Sequence, residues 1–431
     1  MRIPRLPHRL LSSVIGALAC AGLLGIRPAI AAPVAMDGLV KRSLEQVPSV
    51  KSSQAAVLAQ RARVGVASAA YWPQVAANAG YVRSAGVFPA TISSPQVNSS
   101  SAGLALRQLV WNFGKTDAQV DAATANLETL TQQARLRAID VAYGVRLAYL
   151  QWAEARGVAA SHVEQVRKAQ RLLDQANHFF KAGVRSRIDV TRAEVAVARA
   201  KAALVTARLA IDQARRSLET ASGGQSVDGE PFFPEAAALT RASASDITTS
   251  AMNSHPTILA GKAQLATIHA ASLTAERAYW PDVNLDASGG ARVRDTDYGP
   301  TWQAGVTVGM PVFNGFALSR QQEAASESER AAGYDLEQAR QQVALGVDRA
   351  YISLAGTKAR LAADKEALRS AQENHRQAES RYRAGVGSII EESDAQALLA
   401  AAEADLTRSL SAYALAVADL QRAAGLTGLE S

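Results

Sequence analysis

The 431-residue chain has a single cysteine, Cys20, so no disulfide within the chain can supply rigidity. It lies in a leader: Arg2, Arg5 and Arg9 precede an apolar run from Leu10 to Ile26, and Ala29-Ile30-Ala31 meets the small-x-small rule for signal peptidase. Residues 1–31 are expected to be a signal peptide, with Ala32 opening the mature chain. Ala17-Leu18-Ala19 before Cys20 is a poor lipobox, which argues against a lipid anchor. Without the leader's four arginines the formal charge of +7 falls to about +3, too small a surplus for a nucleic-acid binder. Beyond the leader no apolar run reaches 18 residues. That excludes a transmembrane helix but not membrane β-strands, whose alternation barely registers on hydropathy. Catalytic signatures are missing as well. There is no HExxH, GxSxG or phosphate-cradling GxxxxGKS, and His8, His162, His178, His255, His269 and His375 are scattered without metal-ligand spacing. No enzyme activity, cofactor or metal site is expected.

What the chain does have is a duplication. Tyr71-Trp72-Pro73 returns as Tyr279-Trp280-Pro281, and Pro48 returns as Pro256, at an offset of 208. Further on the offset is 202: Trp111 matches Phe313, Tyr149 matches Tyr351, Phe180 matches Tyr382, Gly183 matches Gly385 and Leu218 matches Leu420. Two copies of one unit whose length differs in a single loop imply an architecture that stacks or rings. The expected organisation is a first repeat over 32–222, a linker over 223–243, a second repeat over 244–425 and a short tail over 426–431.

Each repeat is expected to open with a helix, roughly 37–70 and 244–278, whose proline sits in the first turn or at a kink. The Tyr-Trp-Pro triplet stops it, because a residue before proline is pushed out of the α region. The period then changes from 3.6 to 2. Val283, Leu285, Ala287, Ala291 and Val293 share one face against Asn284, Asp286, Ser288, Arg292 and Arg294, and Trp302 to Val312 alternates likewise. The first copy repeats the pattern more noisily over 75–83 and 102–111, around a Ser- and Pro-rich loop. After Asn112-Phe113-Gly114 and Asn314-Gly315-Phe316 come proline-free stretches to about Lys181 and Arg383. At ~1.5 Å per residue these are helices on the order of 100 Å long. Glycine turns then send the chain back along partner helices. There Val190, Val197, Leu204, Ile211 and Leu218 recur every seventh residue with Ala193, Ala200, Ala207 and Ala214 between them, and Leu399, Leu406, Tyr413 and Leu420 repeat the seam with Ala402, Ser409 and Ala416. The arms are expected to be antiparallel coiled-coil hairpins.

Four strands cannot close a barrel, and an open edge in hydrocarbon leaves backbone groups unsatisfied at several kcal/mol each. Several chains must pool strands. Two would give a filled barrel, whereas three give a twelve-stranded one with room for a channel, and the polar strand faces favour three. The fold class expected is an α+β membrane protein. Six long coiled-coil hairpins from three chains are expected to ring a wide tube below the membrane, and four strands per chain to contribute to a trimeric twelve-stranded β-barrel in the lipid bilayer.

The two-fold helix–strand–strand–helix–helix layout resembles the TolC family of outer-membrane export channels, over about residues 37–425. So do the Tyr-Trp-Pro strand starts, the Phe-Gly-type turns and the Phe180/Tyr382-x-Ala-Gly-Val turns followed by an acidic residue. The resemblance implies a homotrimer in the outer membrane of a Gram-negative bacterium, its long helices forming a periplasmic α-barrel, working with a periplasmic adaptor (a membrane fusion protein) and an inner-membrane pump of RND or ABC type, without nucleic acid. It implies a passive conduit for small-molecule efflux. Type I secretion of an unfolded protein is the alternative, and a periplasmic coiled-coil scaffold without a pore is a third reading. It places a cation-attracting entrance ring at Glu391 and Asp394, although Ser388-x-x-Glu391 also reads as a helix capping box that Ser186-x-x-Asp189 repeats. The family's gate tyrosine and aspartate map onto Tyr382 and Asp189. Its gate arginine maps onto Gly387, so either Arg185 or Arg187 substitutes or closure rests on fewer contacts. Tyr382 reads equally as aromatic packing. Gly183-Val184 and Gly385-Val386 match the adaptor-docking tips, beside the plainer reading of glycine at a positive φ. Trp72 and Trp280 are candidates for the membrane–water interface, or for core aromatics where helix meets strand.

Overall fold

The computed structural model describes residues 35–84, 97–227, 229–233, 243–294 and 297–429. The expected signal peptide and Cys20 lie outside the described residues. Within them the duplication is visible as matched elements. The first repeat runs α1 (Met36–Gln46), α2 (Pro48–Ser68), β1 (Gln74–Ser84), β2 (Val97–Trp111), α3 (Lys115–Lys181) and α4 (Arg187–Ala221). The second runs α5 (Ala244–Ser254), α6 (Pro256–Glu276), β3 (Asp282–Arg294), β4 (Asp297–Gly309), α7 (Ala317–Arg383) and α8 (Ile389–Ala423). The long helices α3 and α7 each have 67 residues, and α4 and α8 each have 35.

Two expectations need correction. The opening helix of each repeat is two helices, not one, broken at Val47 and His255, both extended, with the proline as the first residue of the second helix. Proline has no N–H to give and a fixed φ suited to that position, so it starts a helix here instead of kinking one. The strands also differ at their ends. β2 begins at Val97, where Val97 and Asn98 pair with β1 and Ser99 to Ser101 pair with both β1 and β3, so that pairing overrides weak strand propensity. β4 ends at Gly309, leaving out Met310 and Val312, where Pro311 cannot donate to a ladder.

The sheet is antiparallel in the order β1-β2-β3-β4. Its register puts the apolar sets side by side: Val75 faces Leu106, which faces Ala287, which faces Ala304, while Leu285 faces Val306 and Val283 faces Val308. One face is therefore largely apolar, broken by Gln108 beside Leu285 and Ser100 beside Val293, although it is open to solvent, with Val306 at 66% and Trp302 at 83% exposure. The other face carries Asn78, Gly103, Arg107, Asp286, Ser288 and Gln303. A register shift between Leu109 and Trp111 interrupts the ladder where β2 leaves for the helices. Beyond it Phe113 and Gly114, then Gly315 and Phe316, adopt positive φ (57°, 81°, 66° and 67°) and turn the chain into α3 and α7.

The core is helical and doubled. Leu39, Val40, Val145, Tyr149, Trp152 and Leu218 form one cluster; Ile247, Ile258, Val347, Leu354, Val417 and Leu420 form its counterpart. Toward the far end of the hairpins the heptad residues Val190, Ala193, Val197 and Ala200 are buried against α3. The stretch after α4 packs back on the first repeat, with Val227 buried and the Phe232 N–H donating to the Tyr149 hydroxyl at 3.0 Å. Among the described residues no helix is long and apolar enough to cross a membrane.

Candidate pore entrance at the helical tips

The tips are built by two equivalent turns. Gly183 (φ 70°) and Gly385 (φ 77°) follow the long helices in the left-handed region, where a Cβ costs roughly 1–2 kcal/mol. At the first turn the Gly183 N–H donates to the Phe180 carbonyl and that of Val184 to the Phe179 carbonyl; Gly385 to Tyr382 and Val386 to Arg381 repeat this at the second. This pattern satisfies the last carbonyls of a helix and requires glycine by itself. The residue after each glycine is a valine open to solvent, Val184 at 61% and Val386 at 71%. The geometry thus accounts for the glycines without a partner, but not for the exposed valines.

Behind the tips, Tyr382 is buried with Phe179, Leu172, Val190 and Ile389, and its ring meets Phe179 edge to face at 5.6 Å. Its hydroxyl has no hydrogen-bond partner. Burial, and then the Asp189 carboxylate, push its pKa upward. Tyr382 and Asp189 are brought close enough to interact electrostatically without bonding directly, and aromatic packing holds the tyrosine. Of the two candidate arginines, Arg185 crosses from the first turn to the second. Its Nη2 donates to the Gly385 carbonyl at 2.9 Å and to the Gly387 carbonyl, and its guanidinium lies 5.8 Å from the Tyr382 ring centre. It thus occupies the neighbourhood of Gly387, whose own position is tight: a Cβ there would sit 3.0 Å from the Arg381 and Tyr382 backbone. Arg187, the first residue of α4, is exposed and makes no such contact among the described residues.

Glu391 and Asp394 are one turn apart on α8 and both are exposed. Ser388 does cap α8, its Oγ accepting from the Glu391 N–H at 3.2 Å, but the Glu391 carboxylate does not close the box; it faces Arg381 at 3.8 Å. Ser186 makes no such cap on α4, so the two motifs are not equivalent. Asp394 lines a groove between the hairpins together with Arg192 and Arg199.

A third acidic residue was not foreseen. Glu392 is buried, its Oε1 3.4 Å from His375 Nδ1 and its Oε2 without a partner. Burial first, then the Glu379 carboxylate, push its pKa up to about 7, against the pull of Arg383 and Lys168. The signal for it was in the heptad: one step of seven back from Leu399 lands on Glu392.

At the other end of the long helices, Trp72 (71%) and Trp280 (53%) are exposed on the single chain. Trp280 stacks on Phe113 at 5.0 Å, and Phe113 meets Trp111 edge to face at 6.0 Å. Exposed aromatics thus gather where sheet joins helix.

Comparison with known proteins fits this arrangement. Residues 39–224 and 248–426 match the family described as outer membrane efflux protein. The chain belongs to that family. Its relatives include the outer membrane efflux protein BepC of Brucella suis, 26% identical over 78% of this chain and 73% of BepC, and protein CyaE of Bordetella pertussis, 28% identical over 80% and 74%. A membrane protein of Pseudomonas aeruginosa has the same fold, with a TM-score of 0.81 at 23% identity over 93% of this chain and 98% of that one. Membership places the chain in the outer membrane with a role in export, in a family of efflux channels and not of enzymes.

Proposed function

We propose that three copies of this chain close a twelve-stranded barrel and form a passive outer-membrane conduit for small molecules, driven by an inner-membrane pump of RND or ABC type through a periplasmic adaptor. One observation carries the reading: a four-stranded sheet with a largely apolar face whose outer strands β1 and β4 have no further strand beside them among the described residues. Such edges are tolerated in hydrocarbon only when neighbouring copies pair with them. The polar face then lines the pore, and Trp72 and Trp280 lie in the membrane–water interface.

In this assembly Glu391 and Asp394 repeat threefold around a narrow mouth and attract cations. Arg185 braces the first tip against the second, with Tyr382 and Asp189 behind it, and so holds the mouth shut in place of the arginine absent at Gly387. The exposed Val184 and Val386, presented by Gly183 and Gly385, offer the adaptor an apolar contact.

The test is bilayer conductance of the detergent-purified protein together with its native mass. A trimer that conducts supports the reading, and a water-soluble monomer without conductance overturns it. In conducting channels, Glu391→Ala with Asp394→Ala is expected to reduce cation preference and weaken block by multivalent cations; unchanged selectivity would remove both residues from the mouth.

A further inference from the structure

The polar face of the sheet is unevenly charged along its length. In the half nearest the helices, Asp282 is held by Lys115 at 2.9 Å, and Asp286 on β3 meets Arg107 on β2 at 2.8 Å. Each carboxylate there is matched by a cation. In the far half, Arg294 stands directly across the ladder from Asp297. Arg292 does not have such a neighbour. The register lays Gly80, Ser101, Arg292 and Gly299 in one row across all four strands. The next row toward the helices is Asn78, Gly103, Gly290 and Thr301.

None of these side chains can neutralise a guanidinium. Among the described residues Arg292 makes no ion pair, and its side chain is exposed. The two glycines of the next row, Gly103 and Gly290, cannot be filled either, because the backbones there approach too closely. A Cβ built on Gly290 would lie 2.3 Å from the Ala102 carbonyl oxygen, and one on Gly103 would lie 2.8 Å from that of Gly289. Arg292 is therefore the one large side chain in a row of glycine and serine.

Resting on the trimeric barrel proposed above, we propose that Arg292 forms an anion-binding ring in the outer half of the pore. Three guanidiniums face the axis and take multivalent oxyanions, phosphates or carboxylates, whose paired oxygens match the fork of arginine. Ten residues separate it from Asp282, about 33 Å of strand, or about 25 Å along the axis once the usual strand tilt is allowed for. The pore thus carries an acidic inner mouth and a basic outer collar, and the collar sets which anionic cargo leaves readily.

The experiment compares wild type with Arg292→Gln in planar bilayers, by reversal potential in a KCl gradient and by block with inorganic pyrophosphate added to each side in turn. Three unit charges about 10 Å from the axis, screened over a Debye length of about 10 Å at 0.1 M salt, enrich a monovalent anion about 2- to 3-fold and pyrophosphate about tenfold. Arg292→Gln is expected to lower the chloride-to-potassium permeability ratio about fivefold, because the potential that enriches chloride depletes potassium equally, and to raise the half-blocking pyrophosphate concentration about tenfold. Should that variant not assemble, Arg292→Ser, which continues the glycine–serine row, carries the same expectation. A conducting variant with the wild-type permeability ratio and block overturns the collar and leaves the barrel standing. A wild-type protein that opens no channel overturns both.

Discussion

Replacing Glu392 with Gln should make the protein more stable at alkaline pH. The carboxyl is only 4% exposed, one oxygen has no partner, and its neighbour His375 is 3.4 Å away. Its pKa rises from 4.5 to about 7 in the folded chain. A carboxyl that holds its proton more tightly when folded favours the folded state below its ordinary value, and that contribution is lost as pH rises through about 7. Carried to pH 8, the difference is about 3 kcal/mol per chain at 1.36 kcal/mol per pH unit. His375 works in the opposite sense, because burial lowers its pKa; its contribution is present above about 6.5 and lost at lower pH. The two groups are in contact, so the comparison between wild type and variant reads their joint titration, in which the burial of Glu392 is the larger part. Denaturant unfolding of detergent-purified protein, followed by helical circular dichroism, should place Glu392→Gln about 2–3 kcal/mol above wild type at pH 8 and within about 1 kcal/mol of it at pH 5. A gap of equal size at both pH values would refute the reasoning, since it would mean the carboxyl titrates alike in the folded and unfolded chain.

Three further outcomes follow from named contacts. Arg185→Ala removes the hydrogen bonds to the Gly385 and Gly387 carbonyls and is expected to raise resting conductance in bilayers, whereas Arg187→Ala should leave it near wild type; equal conductance in both variants would assign closure elsewhere. Val306→Lys puts a charge on the apolar face at a cost of about 2–4 kcal/mol near the bilayer midplane, so the amount of heat-modifiable protein in outer-membrane fractions should fall, and normal assembly would count against a lipid-facing position. Gly290→Ala forces its Cβ against the Ala102 carbonyl, whereas nothing lies within 4 Å of a Cβ on Gly299; the first should impair sheet formation and Gly299→Ala should not, as read by heat modifiability.

The parts of the fold that could be read from sequence are those where one period runs unopposed. Val283 to Val293 alternate against polar partners, and the observed register sets them beside Val306 and Val308. The seam from Val190 to Leu218 likewise emerges facing α3. What escaped reading depended on contacts between distant residues. A proline after eleven helical residues is compatible with a kink or a new start; the extended Val47 marks a new start, with Leu39 and Val40 of one helix and Val50 of the next all buried. Arg185 and Arg187 flank one serine and look alike in sequence, yet only Arg185 lies where the second tip passes. Ser186 and Ser388 share a motif, and only Ser388 forms the cap. Glu392 was hidden by its neighbour: in Glu391-Glu392 attention goes to the residue that resembles a known site, while the heptad assigns the other to the interior.

The equal arms of the two hairpins limit how relatives of this chain can change length. One residue added to α3 alone would advance its tip by about 1.5 Å and swing the following side chains by about 100°, pulling the first turn out of step with the second and separating Arg185 from the carbonyls it grips. Only matched changes in both hairpins, in steps of seven that restore the seam, would keep the ends flush. Insertions and deletions should therefore collect in the β1–β2 connection and after α4, leaving four helices of fixed span to vary in letter but not in number.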